Sequence, residues 1–201
     1  MTELERYQQW CEQAPLDEAG RAALAAMQND ETERKGCFGA ELQFGTAGIR
    51  GIMGIGTNRL NDFTVRRTAQ GLAAWLTSTE LPQRCAIGYD SRHNSRRYAE
   101  LCAVALAEGG VEFIAPELWE RYYETVLGER LATVPSDNLN LLYTPLCGTG
   151  NKPVRTVLGR IGVNVAVVPA QEKPDGDFKT CEYPNPETPS NRSWNRPRTC
   201  T

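Results

Sequence analysis

The segment Leu42–Gln70, LQFGTAGIRGIMGIGTNRLNDFTVRRTAQ, constrains this chain more than any other. Glycines at 45, 48, 51, 54 and 56 remove Cβ atoms, so backbone N–H groups can close around an anion. Asn61 is an N-cap residue type and Asp62 an acidic first-turn residue, so the pattern predicts a helix over Asn61–Leu76. A helix N-terminus after a glycine loop, with the guanidinium groups of Arg50 and Arg59 in that loop, suits a phosphate.

The rest of the chain alternates helix and strand signals. Glu3–Glu12 and Asp17–Asn29 carry helical patterns, the second rich in Ala and Leu. A short strand is expected at Leu42–Phe44. Cys85–Tyr89 and Val111–Ile114 are apolar strands on either side of a Ser95–Glu108 helix that Gly109 and Gly110 terminate. Pro116–Leu131 forms another helical pattern, interrupted by Gly128. Leu139–Tyr143, the loop 144–152, a Pro153–Ile161 helix and Val163–Val168 form a second strand–helix–strand run. Such alternation predicts an α/β fold of parallel βαβ units, with ligand loops at the C-terminal strand ends.

Charge and cysteine usage exclude several function classes. A net charge of −3 argues against a nucleic-acid partner held by bulk electrostatics. No apolar run approaches the roughly 20 residues that span a bilayer, and MTELERYQQW has no signal-peptide core, so no membrane partner and a cytoplasmic location are expected. Cysteines at 11, 37, 85, 102, 147, 181 and 200 form no C-x-x-C pair, which fits reduced thiols better than disulfides or zinc. Cys85 and Cys102 are expected in the core. Cys147, in TPLCGTG, is the one with a functional setting, although no basic partner is evident.

FGTAGIRG, then MGIGTNRLNDFTVRRTAQGLAAWL, then IGYDSR, resembles the first domain of the phosphohexomutases, the bacterial-type phosphoglucomutase/phosphomannomutase group. LLYTPLCGTGNKPVR, VVPAQEKPDGDF and YPNPETP resemble that family's second domain. The resemblance implies a partial first domain over 1–115 and a partial second domain over 116–183. Residues 184–201, rich in Pro, Asn, Arg and Ser, are expected to be a disordered tail. It also implies interconversion of hexose 1- and 6-phosphates through a phosphoserine, with Mg²⁺ bound in the second domain.

By that resemblance Arg50 matches the arginine of the GIRG turn and would neutralise charge on a phosphoryl group. Thr46 matches a small hydroxyl residue and Gly48 a backbone position of the same turn. Arg59 follows in the loop. In IGYDSR, Arg92 either positions substrate or holds the first loop, the glycine segment, through Asp90. A histidine usually stands in the family where this chain has Cys147. Lys152, in the second glycine loop, is a lesser candidate, and His93 shows no partner in sequence.

The chain departs from the family where the chemistry lies. No TASHNP-like segment bearing the phosphoserine occurs in the 201 residues, nor does the acidic metal loop or the sugar-discriminating loop. PDGDF places Asp175 and Asp177 two apart, but it matches a connecting segment and lacks a third carboxylate. The expectation is an internally deleted, C-terminally truncated mutase, with no catalytic serine and no metal bound by this chain. Its tail SNRSWNRPRTCT suits either a frame change after Pro189 or an unusual natural terminus. The alternative is a non-catalytic fragment that holds phosphosugar weakly, or the product of a damaged gene. A nucleotide-binding oxidoreductase fails for want of a strand followed by G-x-G-x-x-G and a later acidic residue.

Overall fold

The computed structural model describes residues 1–46, 48–113, 117–131, 139–181, 183–185 and 187. The tail beyond 187, where disorder is expected, lies outside the described residues. The chain divides into two compact units, 1–83 with 101–111, and 84–100 with 112–201.

The first unit opens with helices α1 (Glu3–Gln13), α2 (Glu18–Ala26) and α3 (Glu31–Phe38). Each has a side-chain cap: Thr2 in a capping box with Glu5, Asp17 on Gly20 N–H, and Asp30 on Glu33 N–H. Their inner faces join in one cluster of Tyr7, Leu24, Cys37 and Phe38, with Trp10, Leu16, Met27 and Ile55 packed around it. Tyr7 stays polar-satisfied by donating to Leu24 O at 2.8 Å. Burying such large side chains contributes about 1.5–3 kcal/mol each, which holds α1 and α3 to the chain that follows.

The sequence pattern has two helices before the glycine segment; the structure has three. The second ends at Ala26 rather than Asn29, and α3 is additional. Only Cys37 and Phe38 of α3 are buried, both in its last turn, so no apolar periodicity marks it.

Next come strands β1 (Phe44–Gly45) and β2 (Gly48–Ile49), an antiparallel pair, and helix α4 (Asp62–Thr77). The α4 helix buries Thr64, Ala69, Ala73 and Leu76. Helix α5 (Ser95–Glu108) has the bounds the sequence predicts, and its second half belongs to this unit. A Cβ at Gly109 would lie 2.4 Å from Ala73 Cβ, so only glycine lets the end of α5 sit this close to α4. Arg66 and Glu108 close the same contact with an ion pair at 2.6 Å.

The second unit holds two parallel strand pairs. Strand β3 (Arg84–Cys85) pairs with β4 (Glu112–Phe113). Strand β5 (Asn140–Tyr143) pairs with β6 (Asn164–Val167), joined by helix α7 (Asn151–Arg160). Both are strand–helix–strand units of the expected parallel sense, though shorter than their apolar runs. Helix α6 (Glu117–Gly128) meets α7 through Arg160, which pairs with Glu120 at 2.8 Å and lies 4.8 Å from the centre of the Tyr123 ring. Tyr123, Cys147, Val163, Val168, Gln171 and Cys181 are buried. Cys85 and Cys102, expected in the core, are only half-buried.

Candidate functional site

The glycine segment folds into two halves of different character. In the first, β1 and β2 form a hairpin, with Gly48 at φ +91°, a left-handed setting that favours glycine at the turn exit. Thr46 and Gly48 are exposed on this hairpin and Arg50 follows it directly, also exposed. Among the described residues Arg50 makes no hydrogen bond or ion pair.

The second half is closed on itself. Leu60 N–H donates to Ile52 O at 2.9 Å, Gly54 N–H to Leu60 O at 3.2 Å, and Asn58 N–H to Cys37 O at 2.9 Å. Arg59 turns inward: its Nη1 donates to Gly36 O at 2.7 Å, tying this turn to α3. Gly56 sits at φ +120° with a would-be Cβ only 2.4 Å from Cys37 O, so the chain passes α3 at backbone contact. These N–H groups face protein carbonyls rather than an anion.

The α4 N-terminus is likewise occupied. Asn61 Oδ1 accepts from Phe63 N–H at 3.1 Å and Thr64 N–H at 3.0 Å. Its Nδ2 donates to Gly54 O at 2.8 Å, Gly56 O at 2.9 Å and Arg59 O at 3.2 Å. One side chain therefore caps the helix and gathers the turn before it. The sequence places a helix start here correctly, but its first N–H groups are not open to an anion as that pattern suggests. What remains accessible is the hairpin with Arg50.

In the second unit Arg92 stands in a small network. Its Nε donates to Asp90 Oδ2 at 2.7 Å and its backbone N–H to Asp90 Oδ1 at 3.0 Å, while Ser95 Oγ receives Asp90 N–H at 3.1 Å. Burial pushes the Asp90 carboxyl up, but the hydrogen bonds from Arg92 and Ser95 outweigh it and hold it below its ordinary value. Arg92 thus holds its own loop, and its exposed guanidinium edge still faces solvent. His93, without an evident partner in sequence, has one: its Nε2 lies 2.6 Å from Asp177 Oδ1. That hydrogen bond is the main reason the Asp177 carboxyl sits below its ordinary value. Gly176 makes the approach possible, since a Cβ there would lie 3.0 Å from Ser91 O.

Both carboxylates of PDGDF are engaged by protein donors. Asp175 accepts from Asp177 N–H at 3.0 Å and Lys179 N–H at 3.1 Å, while Asp177 serves His93 and Lys179. Among the described residues no group of three His, Cys, Asp or Glu side chains could hold a metal ion. Cys147 is buried, at φ +56°, with its Sγ 3.3 Å from Thr180 Oγ1, an enclosed thiol rather than an accessible nucleophile. Lys152 is exposed on the first turn of α7.

Comparison with known families decides what the motifs belong to. Residues 41–120 match the model for phosphoglucomutase/phosphomannomutase alpha/beta/alpha domain I, and residues 120–194 match the model for domain II. The chain belongs to the phosphohexomutase family. It is 41% identical to mouse phosphopentomutase over 114 residues, which is 51% of this chain and 18% of that protein. To Staphylococcus aureus phosphoglucomutase it is 40% identical over 93 residues, 46% of this chain and 17% of that enzyme. The matched stretches thus span less than a fifth of either relative's length. No solved structure matches the chain. The hairpin, the Asp90–Arg92 loop and the α4 cap fall in the domain I match, and the β5–α7–β6 unit in the domain II match. Residues 1–40, with α1 to α3, precede both. Among the described residues no helix is long and apolar enough to cross a membrane.

Proposed function

We propose that this phosphohexomutase-family chain binds the phosphate of a sugar phosphate weakly at the Phe44–Arg50 hairpin and does not by itself turn the sugar over. The observation that carries this is the contrast between the two arginines of the glycine segment. Arg59 is fixed to Gly36 O, whereas Arg50 projects from the hairpin with no protein partner among the described residues. An exposed guanidinium beside glycine N–H groups offers bidentate, charge-assisted hydrogen bonds to phosphate oxygens. Thr46 adds a hydroxyl donor on the same hairpin. Affinity in the millimolar range, about −4 kcal/mol, suits one guanidinium and a solvent-open loop.

Turnover needs more than binding. Phosphoryl relay needs an acceptor nucleophile and charge neutralisation at the transferring group. The sequence holds no TASHNP-type serine loop, and Asp175 and Asp177 are engaged by protein donors. In the intact family Mg²⁺ would offset phosphoryl charge; these residues do not fit it, and no step here passes through it. The sugar is a hexose phosphate, or a pentose phosphate as the name of the mouse relative suggests; Arg50 reads only the phosphate the two share.

Isothermal titration with inorganic phosphate tests the reading. Binding is expected to weaken as salt is raised, because exposed charges are screened over about 8–10 Å at ordinary ionic strength, and to vanish in Arg50→Ala. Full affinity in Arg50→Ala would overturn it. For the second half, a coupled assay with glucose 1-phosphate, glucose 1,6-bisphosphate and Mg²⁺ should show no product; turnover by this chain alone would refute it.

A further inference from the structure

Two buried carbonyl oxygens of the second unit, Asn151 Oδ1 and Gln171 Oε1, have no hydrogen-bond partner among the described residues. Gln171 is 1% exposed and closes the 3₁₀ turn Pro169–Gln171 that follows β6. Asn151 opens α7. The backbone keeps the two residues close together: Cys147 N–H donates to Gln171 O at 3.0 Å, and Asn151 Nδ2 donates to Glu172 O at 2.9 Å. The second bond also fixes the Asn151 amide, because Glu172 O can only accept and must face the NH₂ group. A buried acceptor left without a donor carries its full desolvation penalty, and two of them on adjoining segments call for a donor they share.

We propose that the α7 N-terminus holds one ordered water molecule, which donates to both oxygens and accepts from the Tyr143 hydroxyl. Tyr143 ends β5 and brings its hydroxyl against Gly150, where a Cβ would lie 2.5 Å from Tyr143 Oη, so only glycine lets the ring reach this turn. Burial pushes the Tyr143 hydroxyl up, so it remains a donor at neutral pH. Three partners are the ordinary complement of a buried water. Charge selects against an ion. Two carbonyl oxygens repel an anion. A cation meets the positive end of α7, whose N-cap Gly150 supplies no capping side chain, and Lys152 on its first turn. Glu172 beside the site is already paired with Arg155 at 2.8 Å. A neutral donor satisfies both oxygens without either penalty. It joins β5, α7 and the 3₁₀ turn around a loop whose Leu146 and Cys147 sit at φ +51° and +56°, a left-handed pair that persists only where neighbours hold it. The second glycine loop is then a hydrated structural joint, independent of the Arg50 hairpin.

The test is water-selected NMR on the full chain. A long-lived water should give cross-peaks to the Asn151 and Gln171 side-chain amide protons, and their absence would overturn the proposal. Tyr143→Phe removes one of three partners and the one exchanging hydroxyl in the proposed site. The cross-peaks should survive it; their loss would mean that hydroxyl exchange produced them, and would overturn the proposal. Gln171→Met keeps the side-chain length without the carbonyl. It should abolish the cross-peak at Asn151 and lower the urea midpoint, whereas a raised midpoint would show an oxygen that has no partner at all and refute the water. Titration with ammonium chloride, and separately with sodium phosphate, should leave both side-chain amides unshifted. Saturable shifts with either salt would assign an ion to the site instead.

Discussion

Asn61 carries a load that its helix-capping role alone does not reveal, and two substitutions separate the components. Loss of an N-cap side chain costs about 0.5–2 kcal/mol. Here the same side chain also donates to Gly54 O, Gly56 O and Arg59 O, and each net hydrogen bond of this kind contributes about 0.5–1.5 kcal/mol, less where solvent reaches it. Asn61→Ala should therefore cost about 2–4 kcal/mol. Asn61→Asp keeps the acceptor that serves Phe63 and Thr64 N–H, and its charge gains about 0.3–1 kcal/mol from the helix dipole. On capping grounds alone that change is neutral or stabilising. It also replaces a donor with an oxygen facing three carbonyl oxygens, so a net loss of about 1–3 kcal/mol is expected. Urea denaturation followed by tryptophan fluorescence, with m unchanged, reads both values. If Asn61→Asp is as stable as the parent, the turn before α4 is not organised by this amide and the closed form of residues 54–60 is wrong.

Further outcomes follow from the same contacts. Gly56→Ala combines a strained φ with a 2.4 Å approach to Cys37 O and should cost about 2–5 kcal/mol in a denaturation series, whereas Gly71→Ala, with open space around it, should not destabilise. The hydrogen bond from His93 lowers the Asp177 carboxyl, so its contribution is present above the unfolded-state value near pH 4 and is lost as pH falls through the lower folded value. Asp177→Asn should thus be less stable than the parent at neutral pH, with the gap closing in acid; a pH-independent gap would contradict this. Leu139, Leu142, Trp119 and Tyr122 stand about half-exposed, and the two parallel strand pairs show open edges among the described residues, so broad thermal unfolding and dye binding are expected. A sharp two-state transition in a monodisperse sample would count against it.

Much of this molecule is legible in the chain because local signals agree with one another. The α5 helix could be bounded to the residue, since Ser95 opens it and the Gly109–Gly110 pair, with Gly110 at φ +81°, closes it. The α4 start is equally plain from Asn61. Helix α3 escaped apolar periodicity, yet Asp30 followed by Glu33 is an N-cap signal that could have found it. The direction of Arg59 was not legible, because its acceptor, Gly36 O, lies on a helix that the pattern did not contain. The His93–Asp177 contact joins residues 84 apart, and nothing local marks either as the other's partner. Strand lengths were overread because apolar runs such as Cys85–Tyr89 continue beyond the paired residues Arg84–Cys85.

As proposed, this phosphohexomutase-family chain recognises phosphate on the Phe44–Arg50 hairpin. An NMR titration with glucose 6-phosphate tests it directly. Amide shifts should cluster at Gly45–Gly51 and spare the turn 54–60, and should disappear in Arg50→Ala but persist in Lys152→Ala. Shifts that instead gather at Thr144–Lys152 and spare Gly45–Gly51 would place the anion site in the other unit and contradict the account.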